Sequence, residues 1–142
     1  MKKPATIEIK LERTIPAPPS EVYAAWLNRK IPGTPWNESA ELILNPKVNG
    51  FFYWRMHKTP HYGRFTQMKR GALIQHTWMS PYTQGQETTV TVTFKKAGDE
   101  TLMTLVHADL PNNADGRAHE KGWTYFLDRF PKQFGKTARK KK

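Results

Sequence analysis

Five histidines, no cysteine and a few scattered serines are the side chains from which this sequence can make chemistry. Without a thiol there is no disulfide framework, no thiolate metal site and no cysteine nucleophile. His107 and His119, with Asp109 or Asp115, are the kind of set a zinc-like ion takes: two imidazoles and a carboxylate. The close ligand spacing of an HExxH helix is missing, so no metal site is assigned. A histidine on an apolar face usually serves as a hydrogen-bonded structural residue, and the useful alternative for both is a polar anchor at a cavity wall. Ser20, Ser39 and Ser80 fall in turn or cap contexts rather than in a nucleophile–base–orienter pattern. Neither a phosphate-cradling glycine loop nor a spaced pair of carboxylates occurs. We therefore assign no catalytic residue and no cofactor, and enzyme activity finds no support in these residues.

The elements that must position these groups begin with a strand. Ile7, Ile9, Leu11 and Arg13 alternate with Glu8, Lys10, Glu12 and Thr14, which is the period of a strand with one face on a core. Arg13 then falls on the core side, where its charge needs a partner. A carboxylate such as Glu21 or Glu38 would serve, as would an anionic ligand group. Pro16-Ala17-Pro18-Pro19 ends the strand, because proline has no donor for a ladder. Val22, Tyr23, Ala25 and Trp26 predict a short helix over 19–28, with Ser20 as a candidate cap, and a second short helix or turn is expected over 28–31.

Six further strands are expected at roughly 40–45, 51–57, 62–70, 72–79, 87–96 and 101–108. The turn signals between them include Asn49-Gly50, Pro60, Gly71, Ser80-Pro81 and Gly98-Asp99. No connection is long enough for a crossover helix, so the sheet must be antiparallel. The long helix is predicted over about 115–134, where His119, Trp123, Phe126, Leu127 and Phe130 share a stripe, with Pro131 kinking or ending it. The reading is α+β: a curved antiparallel sheet of six to seven strands, in the order strand, two short helices, six strands, long helix. One domain is expected over 1–134.

Hydrophobic residues make up only 37% of the chain but aromatics 12%, so the expected core is built of rings. The formal charge is +11, and Lys136, Arg139, Lys140, Lys141 and Lys142 supply five of those charges in a basic tail over 135–142. Such a run behind Gly135 reads as a solvated, disordered tail, with contact to nucleic acid as the lesser alternative. No stretch approaches the roughly 18 apolar residues of a membrane span, and the basic N-terminus is not followed by the unbroken apolar stretch of a signal peptide. A cytoplasmic location is the expectation.

Several motifs, taken in order, resemble a known family. They are Arg13 with Ile15-Pro16-Ala17-Pro18 and Val22 through Trp26; Gly50-Phe51-Phe52-Tyr53-Trp54-Arg55-Met56; Tyr62-Gly63; Thr77-Trp78; Thr89 through Phe94; Thr101 through His107; and His119-Glu120-Lys121-Gly122-Trp123. Together they resemble the START-like, birch-pollen-allergen superfamily with the helix-grip fold, and within it the family named after the activator of heat-shock protein 90 ATPase, in its single-domain bacterial form. The resemblance implies a cavity between sheet and helix suited to an apolar or aromatic ligand, and a link to chaperone regulation. It implies no shared catalytic residue set.

The expected function is binding or carriage of a small hydrophobic or aromatic ligand, by a monomer or homodimer. Candidate lining residues are Trp36, Phe52, Trp54, Tyr62, His76, Trp78, Met103, His107 and Trp123. The alternative is a protein-interaction module acting on a chaperone or another protein. Phe51-Phe52-Tyr53-Trp54 loads both faces of one strand, so Phe52, Trp54 and Met56 are expected inward while Phe51 and Tyr53 pack outward under some other cover. Gly122 costs a helix roughly 1 kcal/mol relative to alanine, which implies either close packing or space left beside Trp123.

Overall fold

The computed structural model describes residues 6–56 and 58–134. Among these residues are seven strands: β1 (Thr6–Ile15), β2 (Glu41–Leu44), β3 (Phe51–Met56), β4 (Thr59–Lys69), β5 (Leu73–Trp78), β6 (Thr88–Ala97) and β7 (Glu100–Pro111). The two α-helices among the described residues are α1 (Pro19–Trp26) and α2 (Ala114–Arg129), with 3-10 turns at Pro81–Thr83 and Phe130–Gln133. One curved sheet runs in the order β1-β7-β6-β5-β4-β3-β2, every neighbour antiparallel. This is the helix-grip arrangement.

Strand parity explains which side is packed. On β6, Thr88, Val90, Val92 and Phe94 are buried, and on β7 Thr101, Met103, Leu105 and His107 are buried, alternating with residues that reach solvent. α2 lays Trp123, Phe126 and Leu127 over that face, and Phe130 continues the stripe beyond its end. α1 adds Val22, Tyr23 and Trp26, with Trp26 edge-on to Phe130 at 5.0 Å between centroids. The core is aromatic as composition predicts, with Trp26, Trp36, Phe52, Trp54, Phe65, Trp78, Trp123 and Phe130 in one cluster. Each large side chain so buried contributes about 1.5–3 kcal/mol.

Asn28 to Ile31 takes the turn form of the two expected there, since Pro32 and Gly33 follow at once. Local details depart from expectation in four places. Pro18 stands at the N-cap of α1 with no side-chain hydrogen bond, and Ser20 lies inside the helix. Pro60 does not mark the turn; it sits within β4, on the row opposite Arg55. β7 continues to Pro111 and α2 starts earlier than expected, capped by Asn113, whose Oδ1 accepts from the Gly116 N–H at 2.9 Å. The helix gives way to a 3-10 turn at Phe130, next to Pro131.

Arg13 provides the fourth difference. Its guanidinium pairs with Asp128 on α2, Nη2 to Oδ1 at 2.9 Å, rather than with Glu21 or Glu38, and tethers the edge strand to the helix. The expected basic tail over 135–142, and His57 at the end of the expected strand 51–57, lie outside the described residues. No helix among the described residues is long and apolar enough to cross a membrane.

Candidate functional site

An open cleft of about 1010 Å³ lies between α2 and the end of the sheet formed by β3, β4 and β5. Its sheet wall carries Trp54, Met56, His61 and Trp78, its helix wall His119, Gly122, Trp123 and Phe126, and its rim residues 37–40 and Tyr82. Antiparallel register places the sheet wall: Trp54 is paired with His61, so both project to the inner face, and their rings stack at 4.1 Å and 9°. Trp78 meets Trp54 at 5.7 Å, His61 at 5.0 Å and Trp123 at 5.0 Å between centroids, making a continuous ring-lined wall. A β-carbon at Gly122 would find no atom within 4 Å, so this glycine borders open space rather than a close contact.

Behind the wall runs a directed hydrogen-bond chain. The Trp123 indole donates to His107 Nδ1 at 2.9 Å, which requires that nitrogen to be unprotonated. The Thr88 hydroxyl donates to the Trp78 carbonyl at 2.6 Å, so it accepts from a proton on His107 Nε2 at 2.7 Å. Both ring nitrogens of His107 are thereby used, and the ring is held neutral as the Nε2–H tautomer. Burial pushes its pKa well below the ordinary histidine value, and nearby His119 and His76 add to that. His119 lies 5.0 Å from His107, and its Nδ1 is within hydrogen-bond distance of the Asp115 and Gly116 carbonyls. Both partners are acceptors, so Nδ1 carries the proton and Nε2 is left as a lone-pair acceptor on the helix wall. Burial lowers the pKa of His119 as well, against the opposing pull of those carbonyls.

The sheet wall has the opposite character. The indole nitrogens of Trp54 and Trp78 and Nδ1 of His61 are buried with no protein partner at hydrogen-bond distance, as is the indole nitrogen of Trp36 deeper in. Burial lowers His61 to a pKa of about 4, so its ring is neutral near pH 7. Unpaired buried polar atoms each cost about 1–3 kcal/mol, and three of these four belong to residues that line one cleft. Among the described residues, no three histidine, aspartate or glutamate side chains come together as a metal site.

The nine residues singled out from sequence separate into three groups. Trp54, Trp78 and Trp123 line the cleft. Trp36, Phe52, His76, Met103 and His107 are buried core residues, Trp36 packing edge-on against Phe52 at 5.0 Å and His76 at 6.1 Å. Tyr62 is on the other face of the sheet: it is 45% exposed and packs beside Tyr53. Beginning β4 at 62 hid His61, because reading Pro60 as a turn removed the row that pairs His61 with Trp54. Phe126 was legible in the helical stripe but was not assigned to the site.

The sequence pattern of the family described as "Activator of Hsp90 ATPase homolog 1-like protein" matches residues 16–135. Among proteins with curated descriptions, none matches. The fold is similar to that of solved structures, including a protein from Rhizobium loti, with TM-score 0.74 and 18% identity over 92% of this chain and 98% of that one. An HSP90 activator from Plasmodium falciparum aligns with TM-score 0.68 and 21% identity over 87% of this chain and 89% of its own. The Aha1 dimer from Colwellia psychrerythraea aligns with TM-score 0.68 and 17% identity over 85% and 90%. Identities this low speak for shared fold.

Proposed function

This chain belongs to the Activator of Hsp90 ATPase homolog 1-like family, and we propose that it binds a small, flat, hydrophobic molecule in the cleft between its sheet and α2. The observation that carries this reading is the ring-lined wall: Trp54, His61, Trp78 and Trp123 line the cleft, and Gly122 borders its open space. Such walls suit a planar ligand, since ring stacking adds about 0.5–1.5 kcal/mol per pair beyond area burial. The unpaired indole N–H groups of Trp54 and Trp78 favour a ligand with an oxygen acceptor, while His119 Nε2 favours one with a hydroxyl. The proposed role is binding or carriage of such a molecule.

The test uses Gly122, because filling its space leaves the core untouched. The dye 8-anilinonaphthalene-1-sulfonate is titrated into the native protein and into Gly122→Leu, following dye and tryptophan fluorescence. Binding to the native chain with at least tenfold loss in the variant, at unchanged or higher melting temperature, is the expected result. Leucine is the better helix former, so loss of binding would not reflect unfolding. Equal binding by both, together with an empty protein in native mass spectrometry, would overturn the reading.

A second reading, activation of a chaperone ATPase, takes its support from the family and from the similar Plasmodium falciparum protein, an HSP90 activator. It predicts that the purified chain raises the ATPase rate of heat-shock protein 90, and an unchanged rate at saturating protein would remove it.

A further inference from the structure

On the side of the sheet turned away from α2, the strands β2, β3 and β4 expose a patch unlike an ordinary solvated face. Phe51 is 66% exposed, Ile43 64% and Tyr62 45%. Register makes them neighbours: Ile43, Tyr53 and Tyr62 form one cross-strand row, and Phe51 lies two residues along β3, paired with Arg64. The rings of Tyr53 and Tyr62 are 5.3 Å apart and tilted by 47°. The expected cover over Phe51 and Tyr53 is not supplied by the described part of this chain, since Phe51 stays two-thirds exposed.

The surroundings of the patch are basic. Arg64 stands beside Phe51 and donates from Nη1 to Asn49 at 2.9 Å, an arrangement that holds the guanidinium in place while using one of its five donors. Lys47 is exposed in the turn before β3 and Lys58 in the turn after it. Six strand residues separate those turns by about 20 Å. On this face Arg55 is held by Glu41 at 3.0 Å, so that acid is already neutralised. The whole chain carries +11.

We propose that this outer face of β2, β3 and β4 binds single-stranded nucleic acid, with Phe51 and Tyr62 as stacking platforms for bases and Arg64, Lys47 and Lys58 as phosphate contacts. Stacking on exposed rings needs unpaired bases, whose flat faces a duplex keeps covered, so the strand bound is single and its recognition tolerant of sequence. Charge selects this occupant over a second copy of the chain. Two copies meeting on this face would set Lys47, Lys58 and Arg64 against the same groups in a molecule already at +11, whereas a polyanion is drawn to them. The face lies apart from the cleft, and the inference does not depend on the ligand proposed there.

The experiment is fluorescence anisotropy with a fluorescein-labelled oligothymidylate and with a labelled duplex, across a salt series. The full chain, the double variant Phe51→Ala with Tyr62→Ala, Arg64→Gln and a chain ending at Gly135 are compared. All altered side chains are at the surface, and a melting curve checks that each variant folds. Single-strand binding should weaken about thirtyfold or more in the aromatic variant, which removes both stacking platforms. Arg64→Gln should lessen the slope of log affinity against log salt by about 0.7. Removing the tail should lower affinity while preserving the effect of the aromatic substitutions. Three results would each overturn the proposal: no binding at low salt, binding indifferent to Phe51 and Tyr62, or sedimentation showing a dimer that the aromatic variant abolishes.

Discussion

At the scale of single residues, two tryptophans of similar burial have different obligations. Trp123 donates its indole proton to His107, while Trp78, 5.0 Å away, holds a buried indole nitrogen with no protein partner. Replacing either by phenylalanine shrinks a buried ring, but only Trp123→Phe also strands the lone pair of His107 Nδ1. The expected penalty for Trp123→Phe therefore exceeds that for Trp78→Phe by about 1–3 kcal/mol, read from urea unfolding of both variants. Equal penalties would show that the hydrogen-bond chain through His107 contributes nothing beyond packing. That His107 has a satisfied structural role was legible in its place on an apolar strand face. Its partners were not, because Thr88 and Trp123 come to it from 19 and 16 residues away.

At the scale of elements, α2 is joined to the sheet by burial along most of its inner stripe and by one ion pair at the edge. Arg13 and Asp128 have side chains 30% and 54% exposed, so water screens their attraction. Asp128→Asn is expected to cost less than about 1 kcal/mol, and the difference from the native chain should shrink further in high salt. A larger loss in thermal unfolding would mean that the pair positions the helix rather than merely decorating it. The stripe of α2 was readable as a helical period, yet its partner for Arg13 was not, since an ion pair 115 residues apart leaves no trace in local pattern. The outer face of β3 behaves likewise: alternation showed that Phe51 and Tyr53 point away from the core, and only the register placed Tyr62 beside them.

At the scale of the molecule, burial of neutral histidines couples stability to pH. His76 is 1% exposed among Trp36, Phe52, Phe65 and Trp78, and burial lowers its pKa to about 4; His61 is lowered to about 4 as well. Unfolding returns each ring to its ordinary value near 6.5, so the unfolded chain binds more protons between pH 6.5 and 4. Stability should be level above pH 6.5 and fall as pH drops below it, by about 1.4 kcal/mol per pH unit for His76 alone at the steepest part. His107 and His119 act in the same direction. Urea unfolding from pH 7.5 to 4.5, a range of about three units chosen to span these values, measures the slope. A flat profile would contradict the neutral, buried state of these rings.

What the amino-acid order determined alone was the succession of elements and the inward and outward parity of most strands. Those depend on residues a few positions apart, on proline's missing donor and on periods of two and 3.6. From this came the antiparallel sheet, the long helix and the inward direction of Trp54, Trp78 and Trp123 on their elements. Tertiary structure decided the rest. Pairing Trp54 with His61 required Pro60 to lie inside a strand, a choice made by the neighbouring strand rather than by proline's own preference. Whether Gly122 meant contact or space depended on how closely α2 approaches β3 and β5, a distance that the packed side chains set and no local spacing encodes.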